Sequence, residues 1–142
     1  MIGRIALNEV QNLVYDTLVA SSSGWSVSAE IFDEPPEDAN FPYVEIGETT
    51  DTTEGTKGVL FSDNQQIINV WSDATGSKEC NDIINQVIES LMALSLPSVM
   101  GDNFQVDTLD RGLVQLLKLE GPDSQIFRQG VIRFSLRVED TS

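Results

Sequence analysis

FPYVEIGETTDTTEGTKGVLFSDNQQIINVWSDATGSKECNDIINQVIESLM, residues 41–92, sets two extended segments and one amphipathic helix in sequence. In the helix, Cys80, Ile83, Ile84, Val87, Ile88, Leu91 and Met92 recur at the i, i+3, i+4, i+7 spacing that gathers them on one stripe. Asn81, Asp82, Asn85, Gln86, Glu89 and Ser90 fill the opposite, solvent-facing side. Ser77 is placed as N-cap after the breaker Gly76, and Glu79 puts a carboxylate at the positive end of the helix dipole. Pro97 bars continuation of the helix. Tyr43 to Glu48 and Gln65 to Trp71 read as strands. In the second, Ile68 and Val70 face one way while Ile67, Asn69 and Trp71 face the other, so apolar residues on both faces predict a central strand or an interface. Between the strands, Thr49-Thr50-Asp51-Thr52-Thr53-Glu54-Gly55-Thr56-Lys57 has no apolar member and is expected to form a flexible hairpin loop, a contact element or a disordered tip more than a spacer.

Outward from this stretch the same patterns repeat. Ile5 to Ala20 reads as a helix with Val10, Leu13, Val14 and Leu18 on one face, ended by Ser21-Ser22-Ser23-Gly24. Trp25, Val27, Ala29 and Ile31 alternate with Ser26, Ser28 and Glu30 at the period of a half-buried strand. After the helix of residues 77–92 come strands over Phe104–Leu109, Leu113–Glu120 and Phe127–Val138. In the last of these Ile132, Phe134, Leu136 and Val138 mark the core face, and Gly121-Pro122-Asp123-Ser124 is a turn that joins it to its predecessor as a hairpin. The order of helix, three strands, helix, three strands predicts an α+β fold, a largely antiparallel sheet with both helices on one face. Residues 1–142 are read as a single domain, long enough to bury about 68% of its unfolded surface.

Composition removes several chemistries. The chain has no histidine, which excludes Ser-His and Cys-His catalysis and the commonest transition-metal ligand. Its one cysteine, Cys80, falls on the apolar stripe and reads as a small buried hydrophobe of a reducing compartment. The acidic loop Asp33-Glu34-Pro35-Pro36-Glu37-Asp38 lacks the alternating ligand pattern of a calcium loop, and Gly55-Thr56-Lys57-Gly58 lacks the spacing of a phosphate-binding loop. No catalytic, cofactor or metal residue is assigned. No apolar run approaches the roughly 20 residues needed to cross a bilayer, so a cytosolic origin and no membrane partner are expected.

The net charge of −15 is unevenly placed. Residues 1–110 hold 19 acids and three bases, whereas residues 111–142 hold four acids and five bases. Such a body repels nucleic-acid phosphates, while its near-neutral end, with Arg128, Arg133 and Arg137, can meet the acidic body of another copy. Head-to-tail contact of that kind closes into a ring when the rotation allows.

The run from Asp33 to Leu94 resembles the phage tail-completion family, which groups with the tail terminators and tail-to-head joining proteins of long-tailed phages. The resemblance rests on the Pro-and-acid loop leading into Phe41-Pro42-Tyr43-Val44-Glu45-Ile46-Gly47, on Ile67-Ile68-Asn69-Val70-Trp71-Ser72, and on Gly76 followed by the helix with Ile84, Val87, Ile88 and Leu91. Arg128 before Val131-Ile132-Arg133-Phe134 in the closing hairpin is similar too. Membership would imply a non-enzymatic virion protein without cofactor: a hexameric ring at the head-tail junction that caps the tail tube, stops its polymerisation and meets a neck or head connector protein. DNA would then be passing cargo, and an acidic surplus would keep the bore from holding it. On this expectation the Thr49–Lys57 segment reaches a neighbouring subunit or the tube, and Arg128, Arg133 and Arg137 supply intersubunit cations. A neck component of related fold and an acidic DNA-mimicking inhibitor are the alternatives.

Overall fold

The computed structural model describes residues 4–56 and 59–141. Two helices, α1 (Leu7–Ser22) and α2 (Lys78–Met92), lie on one face of a six-stranded sheet. The strands are β1 (Glu30–Phe32), β2 (Tyr43–Thr56), β3 (Val59–Ser72), β4 (Ser98–Met100), β5 (Phe104–Glu120) and β6 (Ile126–Asp140). They run in the spatial order β1-β2-β3-β6-β5-β4, with β1 parallel to β2 and every other neighbour antiparallel. The expected α+β architecture is therefore present.

The core lies between helices and sheet, and alternation places its members. On β6, Ile132, Phe134, Leu136 and Val138 are buried; on β3, Ile68 and Val70; on β2, Val44 and Ile46. Val10, Val14 and Leu18 of α1 and Cys80, Ile83, Ile84, Val87 and Leu91 of α2 close over them. Burying side chains of this size contributes about 1.5–3 kcal/mol each. Where α2 crosses β6 the sheet residue is Gly130, and an added Cβ there would stand 2.5 Å from Ile84 Cδ1. Helix and sheet meet there with no room for a side chain.

Five expectations need correction. Residues 49–56 are strand, not loop: β2 and β3 pair continuously from Thr49↔Gln66 to Thr56↔Val59, while Lys57 lies outside the described residues. The absence of apolar residues misled the expectation, because threonine is a good strand former and an arm whose outer face is solvated needs no apolar alternation. The strand expected over Trp25–Ile31 is regular only at Glu30–Phe32. Upstream of it a side chain stands in for a strand partner, with Gln86 donating to the Val27 carbonyl (2.9 Å) and accepting from the Val27 N–H (3.0 Å). Trp25 Nε1 donates to Ser90 Oγ at 3.1 Å, so two residues assigned to the solvent face of α2 hold this segment down. Phe104–Leu109 and Leu113–Glu120 are one strand, interrupted by bulges between Val106 and Thr108 and between Arg111 and Val114; β4, three residues long, was missed. Met92 lies off the buried stripe at 48% exposure. Finally, Ser77 occupies the N-cap position of α2 without a side-chain capping bond.

A further bulge, between Ile46 and Thr49 of β2, is organised by a buried amide. Gln66, fully buried on β3, donates to the carbonyls of Gly47 (3.0 Å) and Ile67 (2.8 Å) and reaches that of Glu48 (3.3 Å). Its carbonyl accepts the Thr49 hydroxyl at 2.6 Å, and Thr49 in turn accepts from Gln11 of α1 at 3.0 Å. The chain from helix to bulge fixes where β2 bends.

Candidate assembly surface

Alternation along unbroken ladders decides which side chains share a face. Register pairs Ile68 with Ile132 and Gln66 with Phe134, so Gln65, Ile67, Asn69 and Trp71 of β3 and Gln129, Val131, Arg133, Ser135 and Arg137 of β6 point away from the helices. Glu45 and Tyr43 of β2 join them through their pairing with Asn69 and Trp71. On this helix-free face Glu45 accepts from Asn69 Nδ2 (3.2 Å) and Trp71 Nε1 (3.3 Å), and Gln129 donates to Asn69 at 3.2 Å. Beyond that row an aromatic group continues, with Phe41 stacked on Phe127 at 5.3 Å and Tyr43 on Trp71 at 6.4 Å. Burial and the neighbouring Glu45 both raise the Tyr43 phenol above its ordinary pKa, keeping it a neutral donor at physiological pH.

The three arginines expected to supply intersubunit cations fall on two faces of the sheet. Arg133 and Arg137 stand on the helix-free face, Arg133 exposed and Arg137 with its guanidinium 4.1 Å from the Phe61 ring centroid. Arg137 is opposite Asp63 in register. Arg128, an odd number of residues away, faces the helix side and lines a groove with Asp73, Gly76 and Lys118. Residues Thr49, Thr50, Asp51, Thr52 and Thr53 also split: Thr49 and Asp51 share the helix face with Gln66 and Asn64, and Thr50 and Thr52 point to the other. Burial, and secondarily the charge of Asp63, raises the Asp51 carboxyl above the usual carboxylate range. Glu54, Gly55 and Thr56 continue the β2 backbone to the tip of the arm.

What the sequence reading did not single out is the outer rim of β5. β4 covers β5 only at Phe104–Val106, and from there to Glu120 the strand has no partner on its outer side among the described residues. Leu113, Leu116, Leu117 and Leu119 are exposed there, at 57, 40, 38 and 37%. Leucines on both faces of a strand were a usable signal, the same one that marked β3 as central. In β5 the pattern sits at an unpaired edge instead, and a long apolar edge is a surface that other chains pair with. The opposite rim is open as well. β1 covers β2 only at Tyr43–Glu45, leaving the outer side of Ile46–Thr56 unpaired among the described residues.

Among the described residues no group of three His, Cys, Asp or Glu side chains is placed to hold a metal ion, and no helix is long and apolar enough to cross a membrane. Cys80 is fully buried, and burial pushes its thiol up to about 11, which leaves it protonated and unreactive at neutral pH.

Comparison with known proteins places this surface in context. A family model described as Tail completion protein gp17 matches residues 12–139. Among solved structures, a chain in the virion of a native gene transfer agent particle is similar with a TM-score of 0.76 at 19% identity, covering 96% of this chain and 99% of that one. The gp17 protein of bacteriophage SPP1 is similar with a TM-score of 0.60 at 20% identity, covering 98% and 95%. Both likenesses concern the fold. The comparison with curated proteins gave no match.

Proposed function

The chain belongs to the family of tail completion protein gp17, and from that premise we propose that its copies form a hexameric ring that caps a phage tail tube and stops its polymerisation. The ring sits in the virion at the head-tail junction, binds the tube protein on one side and the neck or head connector on the other, and lets DNA pass. It is a structural component, made in the host cytoplasm, with no chemistry of its own. The observation that carries this reading is the family match across residues 12–139, which takes in α2, α1 from its second turn on, and the whole sheet except the last residue of β6.

Electrostatics suits the role. With helices outward, the helix-free face lines the bore, and it carries Glu45, Asp63, Asp110 and Glu139 against Arg133 and Arg137. A bore of net negative charge does not hold phosphates, so DNA slides instead of sticking. A DNA mimic would instead need its acids in a row that imitates a phosphate backbone. Here Asp51 and Asp140 lie on the helix side, Asp63 and Asp110 on the other, and Glu79, Asp82 and Glu89 on α2.

Tube growth provides the test. Purified protein added to polymerising tail-tube subunits is expected to arrest elongation and to block the treated ends against further subunits. Tubes that keep lengthening at saturating protein would refute the capping role.

A further inference from the structure

We propose that neighbouring copies join edge to edge, the open rim of β5 in one copy pairing antiparallel with the open rim of β2 in the next, so that Arg111–Lys118 faces Gly47–Thr53. This deepens the ring reading and rests on it. The partner is a second copy of this chain, because the chain itself carries both halves of the contact. Its sheet ends in two unpaired edges whose strands run in opposite directions: β2 is antiparallel to β3, β3 to β6, and β6 to β5. A copy placed beside another therefore presents an up-running edge to a down-running one, the condition for an antiparallel ladder.

The short outer strands limit how the edges slide past each other. β4 blocks β5 at Phe104–Val106, and β1 blocks β2 at Tyr43–Glu45. Within one copy the ladders set Thr49 level with Arg111, through Gln66 and Phe134. At that level the neighbour's β1 would collide with the Gln115–Leu117 part of β5, since Tyr43–Glu45 is level with Gln129–Val131 and hence with Gln115–Leu117. Moving the neighbour four rungs along the strand, which leaves its β1 level only with Leu119 and Glu120 at the end of β5, brings Thr49 opposite Leu116 and Thr50 opposite Gln115. Its arm tip then ends just short of β4.

Two independent features agree with this register. Side chains match by face, since Thr49 and Asp51 share the helix side with Leu116 and Val114, while Thr50 shares the other with Gln115. Charges match as well: Lys118 comes beside Gly47–Glu48, and Arg111 beside Asp51–Thr53, giving the Asp51 carboxylate a cation where its own chain offers Asp63. The exposed leucines of β5 are covered in the process. The slide is also the size that a closed sheet needs. About four residues at roughly 3.3 Å each, across four strands spaced roughly 4.8 Å, tilts the strands about 35° from the ring axis.

The test uses paired cysteines at exposed positions outside the Gln66 network. Thr50→Cys with Gln115→Cys places two thiols on the same face of the same rung, in different copies, because two strands, β3 and β6, separate the two positions within one chain. In protein assembled on tail-tube ends, mild oxidation is expected to give a covalent ladder reaching the hexamer. Thr50→Cys with Leu116→Cys, which point to opposite faces, should give less than a tenth of that yield. A ring that forms but yields no ladder with the first pair, or equal ladders with both, overturns the edge pairing and leaves the ring reading standing. A chain that stays monomeric with tube ends present removes the ring and this contact together.

Discussion

Gly130→Val should cost about 3 kcal/mol of folding stability, a large share of the roughly 5–15 kcal/mol available to a domain of this size. The reason is geometric. An ideal Cβ at Gly130 lies 2.5 Å from Ile84 Cδ1, 2.8 Å from Ile84 Cγ1 and 3.4 Å from Cys80 Sγ, and Ile84 and Cys80 sit on the buried stripe of α2. Even alanine would force the helix off the sheet or Ile84 out of its rotamer, because packed interiors leave no slack for an added carbon. The same contact predicts rescue. Ile84→Ala alone opens a cavity and costs about 2–4 kcal/mol, yet Gly130→Ala combined with Ile84→Ala should cost less than the two added, with a coupling on the order of 1 kcal/mol or more. Urea denaturation of the four proteins measures this; strict additivity would mean that α2 does not sit on Gly130.

Gln66→Leu is the second large effect, expected at roughly 2–4 kcal/mol although leucine nearly matches the volume removed. Burial of an apolar side chain is favourable, so the loss comes entirely from what is left behind. The carbonyl of Gly47 loses its donor, the Glu48 carbonyl loses the amide that reaches it, and the Thr49 hydroxyl, which α1 meets through Gln11, loses its acceptor. An unsatisfied buried polar group costs about 1–3 kcal/mol. Because the bulge at Gly47–Glu48 sets the bend of β2, the variant should also lose hydrogen-exchange protection across Thr49–Thr53 before the rest of the sheet. A destabilisation well below 1 kcal/mol, with unchanged exchange in the arm, would show that the bulge holds its shape without Gln66.

These two residues also mark the limit of what periodicity reveals. The stripe of α2, the inward row on β6 and the central place of β3 were legible because burial alternates along them with a fixed period. Gln66 sits in the same inward row as Ile68 and Val70, but a glutamine there carries no sequence sign that it will be buried and will organise a bulge. The Thr49–Thr56 arm was misread for the converse reason. A solvated strand has nothing apolar to reveal its period, and only pairing with Val59–Gln66 makes it regular. Gln86 and Ser90 looked like solvent-face residues of a helix, whereas they replace a strand partner for Trp25 and Val27. The fold class followed from the rows that alternate, while the candidate surface depended on which edges stay unpaired, and pairing order is a property of the whole sheet.

The uneven charge of the chain acquires a physical place in this account. In the proposed edge pairing the bases after residue 110 that join copies are Arg111 and Lys118 on the β5 rim, whereas the sheet divides Arg128, Arg133 and Arg137 between its faces. The acids that meet them are on the first strand of the long arm.

The central claim is a ring of copies at the end of a tail tube, and mass answers it most directly. Native mass spectrometry of the purified protein, alone and after incubation with isolated tail tubes, should find a hexamer, either free in solution or only where tube ends are present. A monomer or dimer whose mass is unchanged by tubes at any ratio would contradict the ring.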